Sequence, residues 1–246
     1  MKLEIAKQIL EKNKEDWEYL TDEFAVSRAS NWPEIKPLIK YVKSGDKILD
    51  LGCGNGRLFI LFQDADVEYI GIDSCENLIE FAKKQFNNPS AESRRQPQFI
   101  VSSALNLPFK HEEFDVIFSI AVLHHIPSEL FRERVLAECY RVLKPGGYLI
   151  LTTWNLRQPK LLSKYKIWSV LFGWRPKGLD WRDVLIPWKA RKGTIYRYYH
   201  IFTFKEFKKL VKNNGFKIVD SYYTSRTGKR SNLFTGHNLA IIAQKS

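Results

Sequence analysis

The spacing of apolar residues changes near Lys47. Before that point, apolar side chains recur at helical spacing over residues 4–20 and again after Trp32-Pro33, which predicts two N-terminal helices. From Lys47 onward, short apolar runs alternate with helical stretches, a pattern typical of βαβ units and a mostly parallel sheet. The sequence therefore predicts an α/β fold with an N-terminal helical cap over residues 1–45.

The same pattern places the later elements. A break in periodicity over residues 155–200 predicts an insertion after the fifth strand, where α/β enzymes often carry substrate-recognition elements. We expect one domain, with a core over 46–154 and a C-terminal helix and strand pair over 201–246. Strands are predicted near 47–52, 68–73, 98–102, 114–120, 147–154, 216–224 and 238–244, and helices near 56–63, 76–86, 129–142 and 203–214.

Charge is distributed unevenly along the chain. The net charge is +12, yet residues 1–140 carry 17 Lys and Arg against 23 Asp and Glu, whereas residues 141–246 carry 22 against four. A basic region rich in aromatic residues suits a nucleic acid, although a solubilising surface and an anionic membrane surface are alternatives. The aromatic residues interleaved with this charge are Trp154, Trp168, Trp174, Trp181, Trp188, Tyr196, Tyr198 and Tyr199.

Composition argues against a membrane span and a disulfide scaffold. No stretch approaches about 18 apolar residues, and charges interrupt the apolar positions at the N-terminus, so we expect neither a spanning helix nor a secretory signal. The three cysteines, Cys53, Cys75 and Cys139, are far apart and indicate reduced thiols. The predicted location is the cytoplasm.

A glycine-rich loop follows the first predicted strand. Gly52, Gly54 and Gly56 allow the backbone to turn sharply and to approach a ligand closely. A dinucleotide fingerprint would place its third glycine at position 57, which is Arg57, and no Gly-Lys-Ser/Thr ending of a phosphate-binding loop is present. Asp73 ends the second strand, about 20 residues further on, where a carboxylate can accept hydrogen bonds from two ribose hydroxyls.

This arrangement resembles the class I S-adenosylmethionine-dependent methyltransferases. In that family an acidic residue opens the loop and contacts the methionine part of the cofactor, and Asp50 holds this position; segments at 69–73, 104–109, 114–120 and 141–147 follow in the family's order. One departure is Ser103, which replaces the Asp that commonly binds the adenine amino group. The resemblance implies S-adenosylmethionine as cofactor and a Rossmann-like, mostly seven-stranded sheet of order 3-2-1-4-5-7-6. The cofactor-binding residues that it implies are Asp50, Gly52, Cys53, Gly54, Asn55, Gly56, Asp73, Ser74, Ser103, Ala104, Leu105, Ser119 and Ile120.

Narrower segments resemble the eukaryotic tRNA wobble-uridine methyltransferases. These segments are His124-His125 after the fourth strand, residues 151–154 and 186–188, and the run from Arg197 to His200. Enzymes of that family methyl-esterify 5-carboxymethyluridine, and the same module occurs fused to an AlkB-type hydroxylase. The resemblance implies a tRNA substrate and a possible small zinc-containing activator subunit.

The expected chemistry is an in-line displacement at a sulfonium methyl. A carboxylate nucleophile is already ionised at pH 7, so the site needs a cation or hydrogen-bond donors rather than a general base. We assign the cation to Arg197 and the donors to His124 and His200, and we expect no metal, because no carboxylate or cysteine stands at suitable spacing near the histidines. The residues predicted to surround the acceptor base are Trp154, Asn155, Trp188 and Tyr198.

Two other functions remain open from the sequence. A small-molecule methyltransferase of the quinone or polyketide type would carry nearly the same cofactor motifs. A non-catalytic scaffold that binds cofactor or RNA is the second alternative, although Asp50 and Asp73 argue against it.

Overall fold

A computed structural model describes residues 1–27, 32–86, 96–167, 177–191 and 193–246, with the side chains of 25–27 excepted. Trp168 and Trp174, two of the aromatic residues in the predicted insertion, lie outside these ranges.

The helices are α1 (Leu3–Ser27), α2 (Glu76–Phe86), α3 (Glu129–Val142), α4 (Pro159–Lys164) and α5 (Phe204–Asn213). The strands are β1 (Lys47–Leu51), β2 (Glu68–Asp73), β3 (Gln98–Val101), β4 (Phe114–Ile120), β5 (Leu143–Trp154), β6 (Asp183–Ala190), β7 (Gly193–His200), β8 (Phe216–Thr224), β9 (Arg230–Ser231) and β10 (Asn238–Lys245).

The main sheet runs in the order β3-β2-β1-β4-β5-β10-β8-β9. Strands β1 to β5 are parallel, and β10 is antiparallel to both β5 and β8. The predicted order is therefore confirmed for the seven longer strands. The predicted number was too low by one, because β9 is only two residues long and leaves no periodic pattern in the sequence.

Both faces of the sheet are covered, which is why its central strands read as continuous apolar runs. Leu49 and Leu51 of β1 pack with residues of α3 on one face, whereas Ile48 packs on the other face with Leu58 and Phe59. Within the described ranges, none of the helices combines the length and the apolar character that crossing a bilayer requires.

Two predicted α-helices are short 3-10 helices instead. The segment expected to be helical over 56–63 is a 3-10 helix at Arg57–Leu61, which follows Gly56 in the left-handed region (φ 74°). The second N-terminal helix is likewise a 3-10 helix at Lys36–Tyr41, with Pro37 in its first turn. Neither segment is long enough to complete several α-helical turns. The first helix is longer than expected, because α1 continues to Ser27.

The predicted insertion contains a β-hairpin. Strands β6 and β7 pair antiparallel along their whole length, from Asp183 opposite His200 to Ala190 opposite Gly193. Among the described residues these strands pair only with each other, as a separate two-stranded sheet. We call residues 183–200 the β6–β7 hairpin.

Candidate active site

A cavity of about 720 Å³ lies at the carboxyl ends of the parallel strands. This is the edge at which open α/β sheets bind ligands. At one end it is lined by Gly52, Gly54, Asp73 and Ser103, which we call the glycine-loop end. The other end, which we call the hairpin end, is lined by Trp17, His125, Trp154, Arg197 and Asn238.

The glycine loop lines the cavity with its backbone. Gly52 and Gly54 have φ values of 74° and 53°, a region that side chains rarely allow. A Cβ atom on Gly52 would lie 2.4 Å from Cγ2 of Val122. The N–H groups of Gly52 and Cys53 donate to the carbonyl of Ile72 at 2.8 and 2.9 Å, which ties the loop to β2. The loop is thus shaped for a ligand that approaches its main chain.

Asp73 presents its carboxylate beside this loop. One oxygen accepts from the Gly54 N–H at 3.0 Å and the other from the Cys75 N–H at 2.9 Å. Burial raises the pKa of Asp73, while these backbone donors act in the opposite direction. The acid and the backbone edges suit a hydroxyl-rich nucleoside group. Other predicted residues that line the cavity are Cys53, Asn55, Ser74, Ser103, Ala104, Leu105 and Ile120.

Three predicted cofactor residues lie behind this lining. Asp50 is 2% exposed and accepts a hydrogen bond from the Tyr69 hydroxyl, so its carboxylate lies beneath the loop and not at the cavity surface. Burial raises the pKa of Asp50 to about 7. Ser119 is fully buried, and the backbone of Gly56 packs against Phe99.

Arg197 provides the cation at the hairpin end. It is 3% exposed, and its guanidinium carbon lies 4.3 Å from the ring centre of Trp188, 4.9 Å from that of Trp17 and 5.3 Å from that of Tyr199. Aromatic faces stabilise a cation at such distances. Three elements therefore hold a buried positive charge at the cavity. Trp188 contacts Arg197 but does not line the cavity itself.

The two adjacent histidines occupy different environments. His125 lines the cavity, whereas His124 is fully buried beneath it, stacked on Tyr199 at 5.4 Å with the rings 11° from parallel. Neither ring nitrogen of His124 has a hydrogen-bond partner among the described residues. Burial lowers the pKa of His125 to about 3, with a further contribution from Arg197, and burial also holds the pKa of His124 well below its usual value. Both rings are neutral at pH 7.

His200 and Tyr198 lie away from the cavity in a buried polar network. The Tyr198 hydroxyl donates to Asp183 at 2.8 Å, and Nδ1 of His200 lies 2.7 Å from the same oxygen. Nε2 of His200 lies 2.8 Å from Glu206 at the start of α5. These contacts fasten the β6–β7 hairpin to α5. Folding brings two carboxylates to His200, those of Asp183 and Glu206, which the spacing along the sequence did not indicate.

Asn155 also has a structural position. It is fully buried, and its amide donates to the carbonyls of Leu233 at 2.7 Å and Gly236 at 2.9 Å, which braces the turn before β10. Its neighbour Trp154 does line the cavity. Within the described part of the chain, no group of three or more His, Cys, Asp and Glu side chains is arranged to hold a metal ion.

Helix α1 contributes to the cavity, which its sequence pattern did not predict. Trp17 and Phe24 line the cavity, and Asn13 donates to the carbonyl of His125 at 2.8 Å. Further along the helix, Glu18 accepts from the first backbone N–H groups of α2, including that of Glu76 at 2.6 Å. The apolar spacing of α1 indicated a helix, but it contained no signal for where that helix would pack. Asn238, at the start of β10, was not predicted either, because the apolar pattern of that strand also contains no signal for where the strand packs.

Comparison with known proteins gives consistent matches. A family described as a methyltransferase domain matches residues 49–151, which run from β1 through most of β5. An Encephalitozoon cuniculi protein named as a methyltransferase is 30% identical over 199 residues, covering 80% of this chain and 83% of that protein. The crystal structure of a Methanosarcina mazei SAM-dependent methyltransferase superposes with a TM-score of 0.67 at 25% identity, covering 85% of this chain and 96% of that one.

A third relative carries a more specific name. The Arabidopsis thaliana tRNA (carboxymethyluridine(34)-5-O)-methyltransferase is 33% identical over 151 residues, which is 61% of this chain. The aligned part represents 34% of the Arabidopsis protein, so the chain spans about a third of that relative's length.

Proposed function

Because the chain belongs to the class I S-adenosylmethionine-dependent methyltransferases, we propose that it methylates the carboxylate of a carboxymethyl group on a wobble uridine of tRNA. Its cofactor is S-adenosylmethionine. The name of the Arabidopsis relative, a tRNA carboxymethyluridine methyltransferase, supports the choice of acceptor.

The residues at the glycine-loop end fit this cofactor. The Asp73 carboxylate would accept from the ribose hydroxyls, and the backbone of Gly52 and Gly54 leaves space for the methionine part. Ser103, Ala104 and Leu105 lie where the adenine would rest. When bound, S-adenosylmethionine supplies a methyl group activated by its positive sulfur.

One observation carries the choice of a carboxylate acceptor: Arg197 is a buried cation that lines the hairpin end of the cavity. Its planar guanidinium can hold a carboxylate through two parallel hydrogen bonds. The rings of Trp17, Trp188 and Tyr199 fix the guanidinium without neutralising it. The acceptor would therefore be oriented while its negative charge is kept.

The chain needs no general base for this reaction. A carboxylate is ionised at pH 7, so one of its oxygens bonds to the methyl carbon while the carbon–sulfur bond breaks and its electron pair stays on sulfur. No proton moves in this step. His125 is neutral because burial and Arg197 lower its pKa, so it places no second positive charge beside the acceptor.

The charge distribution supports a large polyanionic substrate. Residues 141–246 carry 22 Lys and Arg against four Asp and Glu. Such an excess favours phosphate backbones and makes their binding depend on salt. A small activator subunit and a cytoplasmic location stay predictions of the sequence analysis.

The test uses tRNA that carries 5-carboxymethyluridine together with methyl-labelled S-adenosylmethionine. We expect label in the RNA that is released by mild alkali, because a methyl ester hydrolyses whereas a methyl group on ring nitrogen or ribose is retained. Arg197→Gln should reduce kcat/KM for this RNA at least about 100-fold, since it removes a charge-assisted, two-bond contact. Arg197→Lys should recover only part of the loss, because a lysine cannot form the fork.

The matched control is Arg226→Gln, an exposed arginine in the turn after β8. With the free nucleoside 5-carboxymethyluridine as the substrate, kcat/KM of this variant should equal that of the unmodified protein. Label that resists alkali, or an Arg197→Gln variant with full activity and unchanged cofactor affinity, would contradict the proposal.

A further inference from the structure

The most exposed large apolar side chain among the described residues stands close to the cavity. It is Phe234, which is 67% exposed and belongs to the turn that joins β9 to β10. We call residues 232–236 the Phe234 turn. His237, which directly follows this turn, is partly exposed and lines the cavity. Three residues span about 10 Å at most, so the backbone of Phe234 lies within that distance of the backbone of His237.

Hydrogen bonds hold the Phe234 turn in one conformation. The side-chain oxygen of Asn232 accepts from the Phe234 N–H at 2.9 Å, and the carbonyl of Asn232 accepts from the Gly236 N–H at 2.8 Å. From below, the Asn155 amide donates to the carbonyls of Leu233 and Gly236. Single exposed apolar residues are common on protein surfaces. Here, however, a rigid turn presents the ring, so little conformational entropy is lost when a partner packs on it.

The surroundings of the turn are positively charged. Residues 225–237 contain three Lys and Arg and no Asp or Glu. Arg230 pairs with Asp220, whereas Lys229 is exposed and pairs with no carboxylate in the part of the chain that the structure describes. Cations around an exposed ring suit a single-stranded nucleic acid, whose phosphates bind the cations while its bases stack on the ring. An anionic membrane would need a wider apolar face than one ring provides.

The proposed substrate contains such a strand. A wobble uridine lies in an anticodon loop, where neighbouring bases are unpaired and can turn outward onto aromatic side chains. Arg197 and Asn238 line the same end of the cavity, and Asn238 lies four residues after Phe234. We propose that the Phe234 ring stacks on the base of a nucleotide directly adjoining the methylated uridine. The inference rests on the proposed function and adds to it: Arg197 binds the carboxylate, and Phe234 selects RNA over the free nucleoside.

The test is a double-mutant cycle between the ring and the base. Anticodon stem-loop RNAs that contain 5-carboxymethyluridine are prepared intact, with an abasic site on the 5′ side of that uridine, and with an abasic site on its 3′ side. Dissociation constants are measured with S-adenosylhomocysteine bound, for the unmodified protein and for Phe234→Leu.

Replacing the ring, or removing the base that it contacts, should weaken RNA binding about 5- to 100-fold. At one of the two positions, both changes together should weaken binding no more than the larger single change does, because each removes the same contact. At the other position the two effects should multiply.

Two further variants and a smaller substrate serve as controls. Phe234→Tyr keeps the ring and should bind the intact RNA as tightly as the unmodified protein. Tyr19→Leu removes an exposed ring of α1 near Glu18 and Asp22, and it should leave RNA affinity unchanged. With the free nucleoside as the substrate, kcat/KM of Phe234→Leu should equal that of the unmodified protein. Its melting temperature should also be unchanged, because the ring is exposed.

The outcomes separate this inference from the proposed function. If the protein methylates the RNA but Phe234→Leu binds it with full affinity, or the effects multiply at both positions, the assignment of Phe234 is wrong and the proposed function stands. If Phe234→Leu loses binding to phosphatidylserine vesicles while its RNA affinity is unchanged, the turn contacts a membrane and the inference is wrong. If the unmodified protein neither binds nor methylates the RNA, both are wrong.

Discussion

The two ends of the cavity are built from different parts of the polypeptide. The glycine-loop end consists of three loops that each directly follow a strand, and its lining includes two glycines with positive φ and the Asp73 carboxylate. The hairpin end consists of side chains from α1, the turn after β4, the end of β5, β7 and the start of β10. The first end therefore depends on local backbone conformation, and the second depends on how distant elements pack.

The two ends also differ in their titrating groups. Near the glycine loop, burial raises the pKa values of Asp50 and Asp73. At the hairpin end, burial and Arg197 lower the pKa values of His124 and His125. Each set of groups is therefore pushed toward its neutral form, and the resulting effects of pH on stability have opposite signs.

The largest effect is expected from a change in the glycine-loop end. Gly52→Ala adds a Cβ atom 2.4 Å from Val122 at a φ of 74°, so both a clash and backbone strain must be relieved by movement of the loop. We expect a loss of about 2–4 kcal/mol in the free energy of unfolding and at least a 100-fold loss of cofactor affinity, measured by urea denaturation and calorimetry. Gly45→Ala is the matched control, because its φ is 86° but nothing lies within 4 Å of the added atom. It should cost about 1 kcal/mol and leave cofactor affinity unchanged.

A smaller effect is expected from Asp73→Asn. The variant keeps the shape of the side chain but removes the charge that would accept from the ribose hydroxyls. Cofactor affinity should fall about 10- to 100-fold, because a charged acceptor is replaced by a neutral one. Asp64→Asn, on an exposed loop, should leave it unchanged. If KM for the RNA changed more than cofactor affinity, the glycine-loop end would not bind the cofactor independently of the hairpin end.

Per pH unit, the smallest effect is a change in the slope of stability with pH. Folded Asp50 keeps a proton up to about pH 7, whereas the unfolded carboxyl loses it near pH 4, so its contribution makes the protein less stable as pH rises through this range. Folded His125 stays neutral down to about pH 3, whereas the unfolded ring gains a proton below about pH 6.5, so its contribution makes the protein less stable as pH falls.

These two contributions oppose each other between pH 4 and 6.5. Removing Asp50 as Asp50→Asn should make stability rise more steeply with pH, and His125→Gln should make it rise less steeply or fall. Each change approaches about 1.4 kcal/mol per pH unit, measured by urea denaturation at several pH values. Identical slopes in both variants and the unmodified protein would mean that neither group is shifted as described.

The contrast between the two ends also explains what the sequence could predict. The spacing of Gly52, Gly54 and Asp73 sufficed for the glycine-loop end, because those residues act through turns and strand ends that short sequence segments determine. The strand order followed from the same alternation of elements. Asp50 is a strand residue next to the loop, which can face either the ligand or the core, and here its buried carboxylate accepts a hydrogen bond from Tyr69.

At the hairpin end, two residues predicted at the cavity lie behind it, and a neighbour or a residue of the same type lines the cavity in their place. His124 was expected at the substrate, but the short 3-10 helix at Leu123–His125 turns His125 toward the cavity instead. Asn155 was expected there, but its amide braces a turn, and the asparagine on the cavity is Asn238 on the neighbouring strand. Such choices depend on contacts between segments far apart in the chain, which periodicity does not encode.

The separate pairing of β6 and β7 has an evolutionary consequence. Among the described residues, no ladder hydrogen bond joins the β6–β7 hairpin to the main sheet, and the hairpin is fastened to α5 largely through the contacts of Asp183, His200 and Glu206. Mutations that redesign the hairpin can accumulate without shifting the register of the large sheet. A lineage could thus exchange one methyl acceptor for another while inheriting its donor site intact.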